Sequence, residues 1–201
     1  MDSAVEQFRE NIVRVRNLGG LTHALVTMTT SAVDSSDILR AQYVLAVSAL
    51  DHYVHEVTRL GMLEIFESKR PASAAYLRFR VSLDCVGPSN IIPHDYLDSE
   101  IRTQHGYLAF QHPDKVADAI RLISEVKLWE CVGNRLEMDA GDVKQRLKLI
   151  ADRRNKIAHE ADMDPTYPKA RWPISAPDVE NVVDFLVDVV EAIHSEVTST
   201  E

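Results

Sequence analysis

The sequence predicts an all-α protein, and three observations carry that prediction. Apolar residues recur at three-and-four spacing over long stretches, no strand-like alternation is sustained anywhere, and only seven glycines and eight prolines interrupt 201 residues. With 45% hydrophobic and 26% charged residues, the chain has enough apolar material for the core of one globular domain, residues 1–201.

The first element opens at Ser3 and Glu6, which have capping-box spacing, and continues through Val5, Phe8, Ile12 and Val15. Gly19-Gly20 interrupts it, and Leu21, Leu25, Met28 and Ala32 resume the stripe, so residues 3–33 read as one broken helix or two in series. A cluster at Ser35, Ser36 and Asp37 starts a long second helix through Tyr43, Val44, Val47, Leu50, Val54 and Val57 to about Phe66. The two are expected to form an antiparallel hairpin. Residues 68–113, divided by Pro71, Gly87, Pro88, Pro93 and Gly106, read as an irregular excursion of short helices and loops. One helix is then predicted over residues 114–132, with Val116, Ile120, Ile123 and Val126 inward. Asp139 and Asp142 offer a cap and favourable dipole charge to the next helix. Pro165, Pro168 and Pro173 keep the following stretch irregular, before Ser175, Pro177 and Asp178 start a last helix buried through Val179, Val182, Val183, Leu186, Val189, Val190 and Ile193.

The start of the chain carries no signal-peptide pattern, and no apolar run approaches the roughly 18 residues of a membrane span, so a soluble cytoplasmic protein is expected. Cys85 and Cys131 lack metal or redox spacing and read as reduced, buried thiols. A net charge of −9 excludes bulk electrostatic coating of nucleic acid. Between Lys144 and Lys156, however, the sign reverses: Lys144, Arg146, Lys148, Arg153, Arg154 and Lys156 face only Asp152. That stretch is either a solvated helix face or a local RNA site.

Arg154 and His159 are the candidate functional pair. Val143, Leu147 and Ile150 set an apolar stripe whose next positions are Arg154 and Ile157, so Arg154 falls on the inward face and needs a carboxylate, a phosphate or a partner subunit. Asp51 lies within the inward arc of the second helix and is the expected carboxylate. The alternative is that Arg154 reaches solvent while Asp51 caps or pairs elsewhere. His159 stands roughly 140° around the helix from Arg154 and shares a face with Asn155 instead. Arg154 and His159 can therefore serve one site only where the helix ends or bends, or where a second protomer completes it.

The run Arg154-Asn155-Lys156-Ile157-Ala158-His159 resembles the signature of the HEPN superfamily of helical domains, in which an arginine, usually followed by a polar residue, precedes a histidine by four to six intervening positions. Leu50-Asp51-His52-Tyr53-Val54 looks like part of the HEPN second helix, and the ending from Asp164-Pro165 through Arg171-Trp172-Pro173-Ile174 resembles the RiboL-PSP branch. The resemblance implies a helical bundle that dimerises with both motifs at the interface, forming one composite RNA cleft. Many such proteins are metal-independent endoribonucleases in toxin–antitoxin, antiviral or RNA-processing systems, and others are noncatalytic binding modules. The implied roles are His159 as acid/base group, Arg154 as phosphate binder, Asn155 as positioning residue and Asp51 as support behind them. Lys148, Arg153, Lys156, Arg171 and Trp172 are the RNA-binding candidates, although Trp172 can equally pin the loop onto the bundle. Neither cofactor nor metal is expected, since His52 and His55 lack a third ligand nearby. RNA, a second copy and an antitoxin or other regulatory protein are the expected partners, with no DNA and no membrane.

Overall fold

The computed structural model describes residues 1–30, 33–83, 92–167 and 169–199; Ala32, Cys85, Gly87, Pro88 and Pro168 lie outside them. Among the described residues the architecture is an all-α bundle: α1 (Asp2–Met28), α2 (Ser36–Phe66), a 3-10 turn (Tyr76–Arg78), α3 (His94–His105), α4 (Pro113–Ile120), α5 (Leu128–Leu136), α6 (Ala140–His159) and α7 (Ala176–Thr198). The one isolated β-bridge among them joins Met163 to Arg171. Side chains from all seven α-helices enter one hydrophobic core. None of the described helices is long and apolar enough to cross a membrane.

The α1–α2 hairpin is antiparallel as expected: Phe8 packs on Tyr53 at 5.9 Å between ring centroids, while Gly19 passes Gln42 at the other end. Gly19-Gly20 does not break α1. A glycine costs a helix only about 1 kcal/mol relative to alanine, and at Gly19 the missing side chain leaves room for the buried Gln42 amide of α2, since a Cβ there would stand 2.9 Å from Gln42 Nε2. The start of α1 departs slightly from the predicted capping box, because the helix begins at Asp2 and puts Ser3 inside it with no side-chain cap. α7 runs antiparallel to α1, joined to it by Arg9–Glu191 and Arg16–Asp184 ion pairs.

The helix predicted over 114–132 is two helices. α4 stops at Ile120 and α5 starts at Leu128, and the turn between them folds Ile123 into the core. Three contacts hold it: Ser73 Oγ donates to the Leu122 carbonyl, Arg70 Nη1 donates to that of Ile123, and Ile123 fills the space a Cβ on Gly61 would need, at 2.7 Å. Val116, Ile120 and Ile123 point inward as predicted, with Val126 partly buried against the core. The half-buried Cys131 of α5 carries a free thiol whose pKa burial raises.

Of the excursion, the described residues 68–83 and 92–113 form short pieces, among which α3 packs on α2 and buries Leu97, Ile101 and His105. The His105 ring sits among Phe79, Phe110 and His55, at 6.1, 5.5 and 6.4 Å between centroids. Burial, with a smaller contribution from His55, pushes its pKa from 6.5 down to about 4. The neutral ring therefore stabilises the fold fully above pH 6.5, and that stability is lost as the pH falls towards and through about 4. The gap between the two values corresponds to about 3 kcal/mol. His105→Leu is expected to flatten the fall in urea-denaturation stability between pH 7 and pH 4; an unchanged slope would exclude His105 as its source.

Candidate functional site

The candidate site is built on the C-terminal end of α6. Asp139 caps the helix by accepting from Gly141 N at 2.7 Å, and Val143, Leu147, Ile150 and Ala151 bury its inner stripe. Tyr43 of α2 donates its hydroxyl to the Ile150 carbonyl at 3.3 Å. One turn later Arg154 is half-buried, with Nη1 donating to Asn155 Oδ1 at 3.2 Å. Its Nε is enclosed and has no hydrogen-bond partner. Asn155 and His159 are exposed one turn apart, and the His159 imidazole has no hydrogen bond or ion pair among the described residues.

Asp51 is not the partner of Arg154. Its carboxylate accepts from Phe110 N at 2.5 Å and Gln111 Nε2 at 3.4 Å, with His55 Nε2 at 3.9 Å, so it organises the excursion instead. The reason is height along the bundle. α6 runs antiparallel to α2, with Ile150 level with Tyr43 and Arg153 beside Arg40. Asp51 stands two turns, about 12 Å, further along α2, towards the opposite end of α6. Both residues face inward, but on different levels.

The acid that organises the motif is Asp162. α6 ends at His159, and Ala161 and Asp162 turn the chain through left-handed conformations at φ 51° and 59°. Asp162 N–H donates back to the Lys156 carbonyl at 3.0 Å, so the turn is bonded onto the helix it leaves. The side chain is 0% exposed, and Oδ2 accepts from Arg40 Nε and Arg153 Nη2, each at 2.8 Å. The same arginines hold the following loop: Arg40 Nη2 donates to the Trp172 carbonyl at 2.9 Å, and Arg153 Nη2 to that of Pro173 at 3.2 Å. Trp172 N–H in turn donates to the Asp162 carbonyl at 2.9 Å.

This network divides the predicted RNA contacts. Arg153 is spent on Asp162 and the loop carbonyls. Trp172 is half-buried, with Arg153 and Lys156 over its ring at 5.9 and 5.7 Å. Arg171 is exposed and ion-paired with Asp37 at the start of α2. Lys148 is exposed on α6 with no ion-pair partner among the described residues. Beside the motif an open depression of about 470 Å³ is lined by Asp152, Arg153, Asn155, Lys156, Glu160 and Trp172, with Leu149 at its edge. Three enclosed polar atoms without partners belong to this corner: Arg154 Nε, Asp162 Oδ1 and Trp172 Nε1. Among the described residues no three His, Cys, Asp or Glu side chains cluster as metal ligands.

Comparison with protein-family models, curated proteins and solved structures finds no match to this chain.

Arg40 and Asp162 escape the sequence reading, although Arg40 carries the signal that singled out Arg154. It heads the α2 stripe Arg40, Tyr43, Val47, Leu50, Val54, stepping by three and four onto the buried face. Asp162→Ala leaves Arg40, only 7% exposed, without its buried carboxylate and with only the exposed Asp37 at 3.8 Å. Removing one member of a buried pair costs about 3–5 kcal/mol, whereas Arg171→Ala, which breaks an exposed pair, costs less than about 1 kcal/mol. Urea denaturation compares the two, and similar losses would refute the central role of Asp162.

Proposed function

We propose that this chain is a metal-independent endoribonuclease of the HEPN type, working as a homodimer with a composite site and residing in the cytoplasm. The observation that carries this reading is the end of α6, where Arg154, Asn155 and a free His159 meet solvent on a segment held rigidly from below by Asp162. RNA supplies its own nucleophile. His159 takes the proton of the 2′-hydroxyl as that oxygen attacks the adjacent phosphorus, while Arg154 stabilises the charge on the phosphate oxygens. The bond to the 5′-oxygen breaks and that oxygen takes a proton from the protonated imidazole, so His159 serves as acid as well as base and a 2′,3′-cyclic phosphate and a 5′-hydroxyl end are left. Asn155, already bonded to Arg154, positions the guanidinium. Because Arg154 and His159 diverge by roughly 140° around one helix, the reading gives each phosphate an arginine and a histidine from different copies.

Lys148 and Lys156 supply the free cations of the RNA surface, with Arg171 at its rim once it leaves Asp37. A toxin–antitoxin, antiviral or RNA-processing role, with an antitoxin or other regulatory protein as partner, suits such an activity. The second reading, a noncatalytic dimerisation or RNA-binding module, is favoured by one observation: Arg153 and Trp172 already serve the loop and are not free for nucleic acid.

Purified wild-type protein is expected to cleave total RNA in EDTA and leave 2′,3′-cyclic phosphate ends. Loss of general acid–base help lowers a rate by about 10²–10⁴-fold, and His159→Ala is expected to lose cleavage to that extent with its helical circular dichroism unchanged. Equal cleavage by both proteins would remove His159 from the chemistry, and binding without cleavage by either would favour the second reading.

A further inference from the structure

The depression beside the motif holds groups that a phosphate would not use. Asn155 lines it and also accepts from Arg154 Nη1, so the depression adjoins the guanidinium. Its apolar surface comes from Leu149, 58% accessible, and from the half-buried indole of Trp172. Two carboxylates, those of Asp152 and Glu160, line it as well. Lys156 lies four residues from each, the spacing at which a helix pairs lysine with an acid. It pairs with neither. Its ammonium stands over the Trp172 ring at 5.7 Å, and the exposed side chains of Asp152 and Glu160 have no hydrogen bond or ion pair among the described residues.

A free carboxylate repels the phosphates of RNA and attracts N–H and O–H donors. RNA carries such donors on its 2′-hydroxyls and on the edges of its bases. The apolar surface of Leu149 and Trp172 suits the flat face of a base better than the hydroxylated ribose.

We infer that this depression seats one base of the RNA beside the cleaved phosphate, and that its carboxylates and lysine select guanine. That RNA is the ligand rests on the nuclease reading; the choice of base rests on these side chains. The Watson–Crick edge of guanine presents two adjacent donors, N1–H and the N2 amino group, which the two oxygens of one carboxylate accept side by side. Next to them stands O6, an acceptor for an ammonium. Lys156, with an acid one turn before it and another one turn after it, offers the complementary order whichever way the base lies. The other bases fit less well. Uracil has a single N–H between two carbonyl oxygens, which a carboxylate repels. Adenine and cytosine set their amino group beside an unprotonated ring nitrogen, so the second carboxylate oxygen would face a lone pair.

Trp172 lines the depression while Trp129 is buried in the core, so nucleotide binding can be followed by tryptophan emission. Wild-type protein is expected to bind guanosine 5′-monophosphate about tenfold more tightly than uridine 5′-monophosphate, and Trp172→Phe to remove the response. Asp152→Ala combined with Glu160→Ala, both at exposed positions, is expected to abolish the preference with circular dichroism unchanged. Equal affinity of the wild type for the two nucleotides, no response to either, a response that survives Trp172→Phe, or a preference that survives the double variant would each overturn the assignment. The titration requires no cleavage, so the two assignments fail separately. A protein that prefers guanosine 5′-monophosphate but leaves total RNA intact keeps the base seat and loses the nuclease, whereas RNA cut without regard to guanosine keeps the nuclease and loses the seat.

Discussion

The end of the bundle that bears the motif depends on one buried carboxylate shared by two guanidinium groups. Asp162 joins α2 through Arg40 and α6 through Arg153, and both arginines go on to hold the carbonyls of the loop that leads into α7. The end of α6, the turn after it and the following loop are thereby fixed at a single point to α2, which lies far from them in sequence. Asp37 stands 3.8 Å from Arg40, and Asp152 and Glu160 line the adjoining depression beside Lys156, so cations and carboxylates are interspersed around that point.

The rest of the bundle keeps that point in place. α2 is its axis, touched by α1, α3, α4, α6 and α7, and its buried face alternates between aliphatic packing and a few polar anchors. Tyr43 holds α6 by a backbone carbonyl, and Asp51 gathers the 110 region by a backbone N–H. Such side chain–backbone bonds fix the height of one element against another, which apolar contacts leave loosely defined.

Height is also what separates the legible from the illegible in this sequence. The period of apolar residues reveals which face of a helix turns inward, and on that basis α1, α2, α6 and α7 are predictable to within a few residues, as are the caps at Asp139 and Ser175. It carries no information about which inward residues share a level. Arg154 and Asp51 therefore look like partners although they face different layers, while Arg40, on the same level as the motif, passes unnoticed. Asp162 was harder still. It lies beyond the end of α6, in a turn whose left-handed backbone is adopted by alanine and aspartate where glycine would be the usual cue. The division of residues 114–132 escaped for a related reason, since Ile123 keeps its helical phase while the carbonyls around it are captured by Ser73 and Arg70.

The enclosed Nε of Arg154 has no hydrogen-bond partner, and that carries a cost in stability. A buried donor left unsatisfied costs about 1–3 kcal/mol, and here the cost falls on a side chain that a bundle could replace with leucine to continue the stripe of Val143, Leu147 and Ile150. Folding stability alone favours an apolar residue at this position, so the chain carries a guanidinium there against the preference of the packing around it.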